Sequence, residues 1–222
     1  MKYIVTDLEM NPISYENKEL WPMCRSEVIE IGAVLLDENY KETDSFKTYV
    51  RPEYNKAVAN NIKKLTGITT EMLSEASDFE TEIHRFFSWC LAAGDSVQIV
   101  QWSQSDREQI LREIQLKEIL LSEQETKLMD CWCDLQKEYD TTVGMEKNTS
   151  LSNAIMFAGK DFEGSMHDAL TDAKNTARLL ETLRNPEKLE EALGSVISVM
   201  KGEPLAPSLG DLFDFSFFDL QP

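Results

Sequence analysis

The sequence predicts an α/β fold built on a mixed sheet, and three observations carry that expectation. Lys2–Met10 is an apolar strand-like run that ends in charged residues. Two more strand patterns follow, Glu27–Asp37 and Ser45–Val50, close enough in sequence to pair with it as an antiparallel meander. From Lys56 onward, helical spacing alternates with short apolar runs, the pattern that lays helices over a sheet.

Each element has a local reason. Glu16–Arg25 is polar and aromatic and reads as a loop, and Arg51-Pro52 stops the third strand because proline cannot donate to a ladder. Short helical pieces are expected at Ala57–Leu65 and Thr70–Ser74, separated by a turn at Gly67. Asp78 is a good N-cap for a helix over Phe79–Ala92 that ends at Gly94. Ser96–Trp102 reads as a strand, Asp106–Ile114 as an amphipathic helix, and Lys127–Trp132 as a last short strand leading into a helix through Tyr139. Thr149–Ala158 gives a helix capped by Gly159. In the following segment, Ser165 and Asp168 have capping-box spacing, and Ala169, Ala173 and Ala177 form a small-residue stripe that lets the helix lie close to a sheet. Pro186 ends that helix, and Glu187–Lys201 is a further amphipathic helix. The expected organisation is a domain over 1–184, a C-terminal helix over 185–201 and an acidic aromatic tail over 202–222.

A chain of 222 residues with 42% hydrophobic content can bury one substantial core. The first residues lack a basic and then apolar leader pattern, and no apolar run reaches membrane-spanning length, so the expectation is a soluble, cytoplasmic protein with no membrane partner. Cys24, Cys90, Cys131 and Cys133 are scattered, and with only His84 and His167 there is no zinc spacing; Cys131 and Cys133 read as two core thiols on one strand face. The net charge of −18 argues against holding long nucleic acid through a broad basic footprint. It leaves room for a nuclease that engages phosphate through metal ions.

The chemistry begins with Asp7 and Glu9. Side chains alternate along a strand, so these carboxylates point the same way, roughly 6–7 Å apart. Like charges that close raise each other's pKa unless a cation joins them, and hard divalent ions prefer oxygen ligands. Taken alone, Asp-x-Glu is a weak motif, and the pair reads first as a solvated strand end or a pair of turn residues. Asp106 adds a carboxylate just past a strand end, where ligands bind in open α/β sheets. His167 and Asp172 are about 140° apart on an ideal helix, so both reach one site only if His167 sits on the entering loop.

Asp7-Leu-Glu9 on the first strand, Trp102-Ser-Gln-Ser-Asp106 after the fourth and His167-Asp-Ala-Leu-Thr-Asp172 at the late helix resemble, in order and context, the motifs of the DEDDh 3′–5′ exonucleases. The resemblance covers roughly residues 2–184 and is similar above all to the enhancer-of-RNA-interference type and the bacterial KinA-pathway-inhibitor exonucleases, although Ser103 stands where that group has glycine. It implies a ribonuclease-H-like αβα layered fold with a mixed five-stranded sheet. It also implies two ions, Mg²⁺ or Mn²⁺, on Asp7, Glu9, Asp106 and Asp172: Asp7 bridges both, Glu9 and Asp172 hold the water-side ion, and Asp106 acts through the outer shell. His167 is then the general base. Leu65, Thr66 and Met10 are implied to contact terminal nucleotides; Trp102 is a candidate contact but reads first as a core residue rather than a stacking platform.

The expected activity is 3′–5′ exonucleolytic hydrolysis of single-stranded RNA or DNA, releasing nucleoside 5′-monophosphates; the partner is a nucleic acid with a free 3′ end. The competing expectation is a non-catalytic binding module that works through the tail. That tail carries four acidic and no basic residues over Glu203–Pro222, together with Phe213, Phe215, Phe217 and Phe218, and is the expected docking segment for the domain's own groove or for a protein partner.

Overall fold

The computed structural model describes residues 1–94 and 96–202, so the tail expectation lies outside the described residues. Five strands, β1 (Lys2–Pro12), β2 (Ser26–Leu36), β3 (Glu42–Tyr49), β4 (Val97–Gln101) and β5 (Trp132–Asp134), form one sheet in the order β3-β2-β1-β4-β5. The β1–β2 and β2–β3 pairs are antiparallel, while β1–β4 and β4–β5 are parallel. The meander and the mixed five-stranded sheet are therefore both present.

The helices are α1 (Asn60–Thr66), α2 (Thr70–Ser74), α3 (Phe79–Ala92), α4 (Ser105–Leu116), α5 (Glu123–Leu128), α6 (Leu135–Val143), α7 (Leu151–Phe157), α8 (Ala169–Arg184) and α9 (Pro186–Met200). Period-two alternation on β1 divides the core. Ile4 and Leu8 join Phe79, Ile83, Phe86 and Phe87 of α3 and Ile110 of α4 on one face. Val5 joins Tyr139 of α6, Ile155 of α7 and Leu180 of α8 on the other, and Leu193 brings α9 into the same layer. No described helix is long and apolar enough to cross a membrane.

Local chemistry accounts for most boundaries. Asp78 caps α3 by accepting from the Thr81 amide at 2.9 Å, and Ala169, Ala173 and Ala177 are buried where α8 lies on the sheet. Four expectations need correction. The strand expected over Lys127–Trp132 does not form there: Ser122 and Glu125 make a reciprocal capping box that starts a helix over Glu123–Leu128, and β5 starts only at Trp132. Cys131 consequently precedes the strand and is exposed, so it is not a core thiol. The cap of α8 is Asp168 rather than Ser165: its side chain accepts from the Thr171 amide at 3.0 Å. The polar loop after β1 contains a 3₁₀ turn at Tyr15–Leu20.

Candidate active site

The site forms where the end of β1 meets the first turn of α8. On β1, Asp7 and Glu9 share the face of Val5, toward α8, and each stands opposite an informative partner on β2: Asp7 opposite Gly32, Glu9 opposite Glu30. Gly32 is required by contact. A Cβ there would lie 2.1 Å from the Leu170 nitrogen and 2.2 Å from the Ala169 carbonyl carbon, so the start of α8 crosses bare backbone beside Asp7. Such close approach is one of the few things only glycine permits.

A set of charged groups fixes that helix end. Glu30, 1% exposed, accepts from the Ala169 amide at 2.9 Å and pairs with Lys47 of β3 at 3.0 Å. Lys47 also pairs with Asp168, the cap. Lys47 therefore ties β3 to both the sheet acid and the helix cap. Asp168 also accepts from the Asp172 amide through its carbonyl at 2.9 Å, the first turn of the helix.

His167 lies immediately before the cap, with its backbone in the left-handed region at φ 62°. That conformation is costly for a residue with a Cβ and is held here by surrounding contacts. The His167 amide donates to Asp172 Oδ2 at 3.2 Å, which places histidine on the entering loop and aspartate one turn in, as the sequence pattern required. Glu9, His167 and Asp172 each offer a ligand atom, all within 4.8 Å of one another. The second oxygen of Asp172, Oδ1, is buried and has no hydrogen-bond partner among the described residues. A buried carboxylate oxygen without a partner, on a residue of an acid cluster, is unfavourable without a cation, and the oxygen-rich donor set suits a hard divalent ion.

The electrostatics agree. Burial, with Asp106, Asp172, Glu9 and Glu30 adding repulsion, holds Asp7 well above the usual carboxylate range. Burial first, then Asp172 and Glu30, pushes Glu9 up to about 8. Asp106, in the first turn of α4, is pushed up to about 8 by burial. Asp172 is pushed up to about 6 by burial, opposed by the bond from the His167 amide. A group of carboxylates that resists ionisation is what crowding without a counter-ion produces.

The remaining candidates separate. Trp102 is 7% exposed, donates from Nε1 to the Thr149 carbonyl at 3.1 Å and packs on Tyr139, so its ring belongs to the core and offers no open face for a base. Leu65 is 50% exposed on α1. Thr66 turns inward, its hydroxyl donating to the Ile62 carbonyl at 3.0 Å. Met10 packs against the α3-side core. The segment before α1 is tied to the site because buried Asn11, two residues past Glu9, donates to the carbonyls of Asn55 at 3.2 Å and Ala57 at 3.1 Å. Sequence reasoning missed Glu30, Lys47 and Asn11. The available signal was polar residues inside strand patterns that were otherwise read for their apolar positions.

A ribonuclease-H-like sheet with an acid-histidine cluster at the end of its first strand defines the class. The RNase_T family, described as exonuclease, matches residues 4–180, and the chain belongs to that family. Over 208 residues it is 28% identical to ERI1 exoribonuclease 2 of Mus musculus, covering 83% of this chain and 30% of that protein. It is 27% identical over 193 residues to 3′-5′ exoribonuclease 1 of Homo sapiens, covering 81% and 54%. The chain thus spans less than two-thirds of either relative. Among solved structures, a 3′-exonuclease described as recognising the 3′ end of histone mRNA stem-loop matches at a TM-score of 0.72 and 23% identity, covering 83% of this chain and 64% of that one. The nuclease domain of 3′hExo, described as a DEDDh family member bound to rAMP, matches at 0.69 and 24%, covering 81% and 90%. The likeness to the DEDDh exonucleases of the enhancer-of-RNA-interference type is borne out.

Proposed function

We propose that this chain is a metal-dependent 3′–5′ exonuclease that removes nucleotides from the 3′ end of single-stranded RNA or DNA and releases nucleoside 5′-monophosphates. The observation that carries the reading is the convergence of ligand atoms of Glu9, His167 and Asp172, together with a buried Asp172 oxygen that has no hydrogen-bond partner among the described residues. Family membership and the names of the relatives support the direction of attack.

On this reading Asp7, Glu9 and Asp172 hold Mg²⁺ or Mn²⁺, with Asp106 acting from the helix start behind them. Two such ions, when bound, supply charge for the attacking water and for the leaving 3′ oxygen. The side chains do the rest. Asp172 fixes the His167 backbone, and the half-exposed imidazole takes the proton from the attacking water. Lys47 keeps Glu30 and Asp168 occupied as structural acids, so neither competes for the ions. The terminal nucleotides lie against Leu65 and the backbone near Thr66.

The test is incubation of the full chain with 5′-labelled RNA and DNA oligomers in Mg²⁺, Mn²⁺ or chelator. The expected result is a ladder shortening from the 3′ end, lost in chelator and in Asp7→Asn while the fold persists. Cleavage that survives both treatments refutes the assignment.

A further inference from the structure

An acidic protein that handles a polyanion needs a local route for it. Residues 51–66 carry Arg51, Lys56, Lys63 and Lys64 against Glu53 alone, a net of +3 in a chain of −18. All four cations are exposed, and none forms an ion pair among the described residues. By contrast, Lys47, Lys117, Lys127, Lys174 and Lys188 are each bound to a carboxylate.

The position of this segment is set. Asn11 accepts from the Ala59 amide at 2.9 Å in addition to its two bonds to the Asn55 and Ala57 carbonyls, which fixes the approach to α1 at the exit of β1. Beneath α1, Ile62 packs on a small core of Ile29, Val58, Ile68 and Leu73. Lys63 and Lys64 follow Ile62 directly, about 100° and 200° around the helix, and so face outward. The stretch that carries Lys56, and the helix that presents Lys63 and Lys64, are therefore tied through Asn11 to the end of β1.

We infer that Lys56, Lys63 and Lys64, with Arg51 beyond them, form a track for the phosphodiester backbone of a single strand whose 3′ end enters the site. This rests on the proposed exonuclease reading for the strand's direction; the binding itself does not depend on cleavage. Lysines act as point charges and set no base preference, so the track serves RNA and DNA alike. A fixed patch of unpaired cations also answers how a chain of this charge holds a strand longer than the nucleotides at the metal site.

The test is fluorescence anisotropy of 5′-fluorescein 15-mers of uridylate and thymidylate with the full chain, in chelator so that no strand is cut, across a salt series. Each cation contacting a single strand contributes about 0.7 to the slope of log K against log salt, so Lys56→Gln/Lys63→Gln/Lys64→Gln should flatten the slope by about 2. Lys137→Gln/Lys147→Gln/Lys201→Gln makes the same charge change on exposed residues elsewhere and should leave the slope unchanged. Equal slopes for the two triple variants, or no binding by the folded wild-type chain, overturn the track. Hydrolysis of the same 15-mers in Mn²⁺ reports separately on the exonuclease reading. A strand that is cut while the slope is indifferent to Lys56, Lys63 and Lys64 sinks the track and leaves the activity standing.

Discussion

Replacing Gly32 by alanine tests whether the site depends on the closeness of α8 to the sheet. The added Cβ would stand 2.1 Å from the Leu170 nitrogen, 2.2 Å from the Ala169 carbonyl carbon and 2.6 Å from its oxygen, where ordinary contact begins at 3.4 Å. Every one of those atoms is backbone, so no rotamer change relieves the clash, and the start of α8 must lift by about 1.3 Å. That lift breaks the bond from Ala169 to Glu30 and carries Asp172 and His167 away from Asp7 and Glu9. Overpacking of this kind costs about 1–3 kcal/mol. At about 2–4 °C per kcal/mol for a chain of this size, the melting temperature should fall by roughly 2–12 °C. Turnover should fall further than stability implies, since a displacement of about 1 Å at a reacting centre costs on the order of 10²-fold. The assay is oligonucleotide hydrolysis at saturating Mn²⁺, with thermal melting with and without the ion. A Gly32→Ala chain with wild-type turnover and a wild-type melting rise on adding Mn²⁺ would refute the argument.

Three further outcomes are expected. His167→Ala should lower turnover by roughly 10²–10⁴-fold, the range for a lost general base, with metal affinity little changed; calorimetry showing metal binding lost with activity would make His167 a ligand. The metal-free chain should lose stability as pH rises from about 4 to about 8. Glu9 and Asp106 are pushed up to about 8 and Asp172 to about 6, so the folded chain binds more protons than the unfolded one across that window. Melting in chelator at pH 6 and pH 8 checks the sign, Mg²⁺ or Mn²⁺ should restore more at pH 8, and a melting point that climbs with pH in chelator contradicts it. Lys47→Met should leave Glu30 buried with only the Ala169 amide, costing about 1–3 kcal/mol; a melting point within a degree of wild type would show that Lys47 carries none of that support.

The sequence made the sheet and the first-strand acids legible because both obey short-range rules. Alternation places Asp7 and Glu9 on one face, and the alanine stripe marks α8 as a close-packed helix. The five-residue step from His167 to Asp172 required a loop at His167, which the left-handed backbone supplies. Short elements were harder. Residues 127–132 carry apolar side chains with no clear period, and the capping box of Ser122 and Glu125 decides for helix just upstream. At α8 two capping residues compete within four positions, and only contact with Lys47 and Thr171 selects Asp168. Glu30 and Lys47 were hidden for another reason. A charged residue in a strand reads as solvent-facing until the layer above it is known, and here that layer is the end of a helix 139 residues further on.

That separation has a kinetic meaning. The bond from Ala169 to Glu30 spans 139 residues, and the Lys47 to Asp168 pair spans 121. Loop closure over such distances is entropically unrewarded until the intervening strands and helices are already in place. The β1–β2–β3 meander, by contrast, closes through near neighbours in sequence. During refolding, far-ultraviolet ellipticity should therefore recover ahead of cleavage, and the chain should pass through a stage with an assembled hairpin sheet and no catalytic cluster. The acid-histidine cluster of this topology is therefore incomplete until its last long-range closure, however early the strands that carry Asp7 and Glu9 assemble.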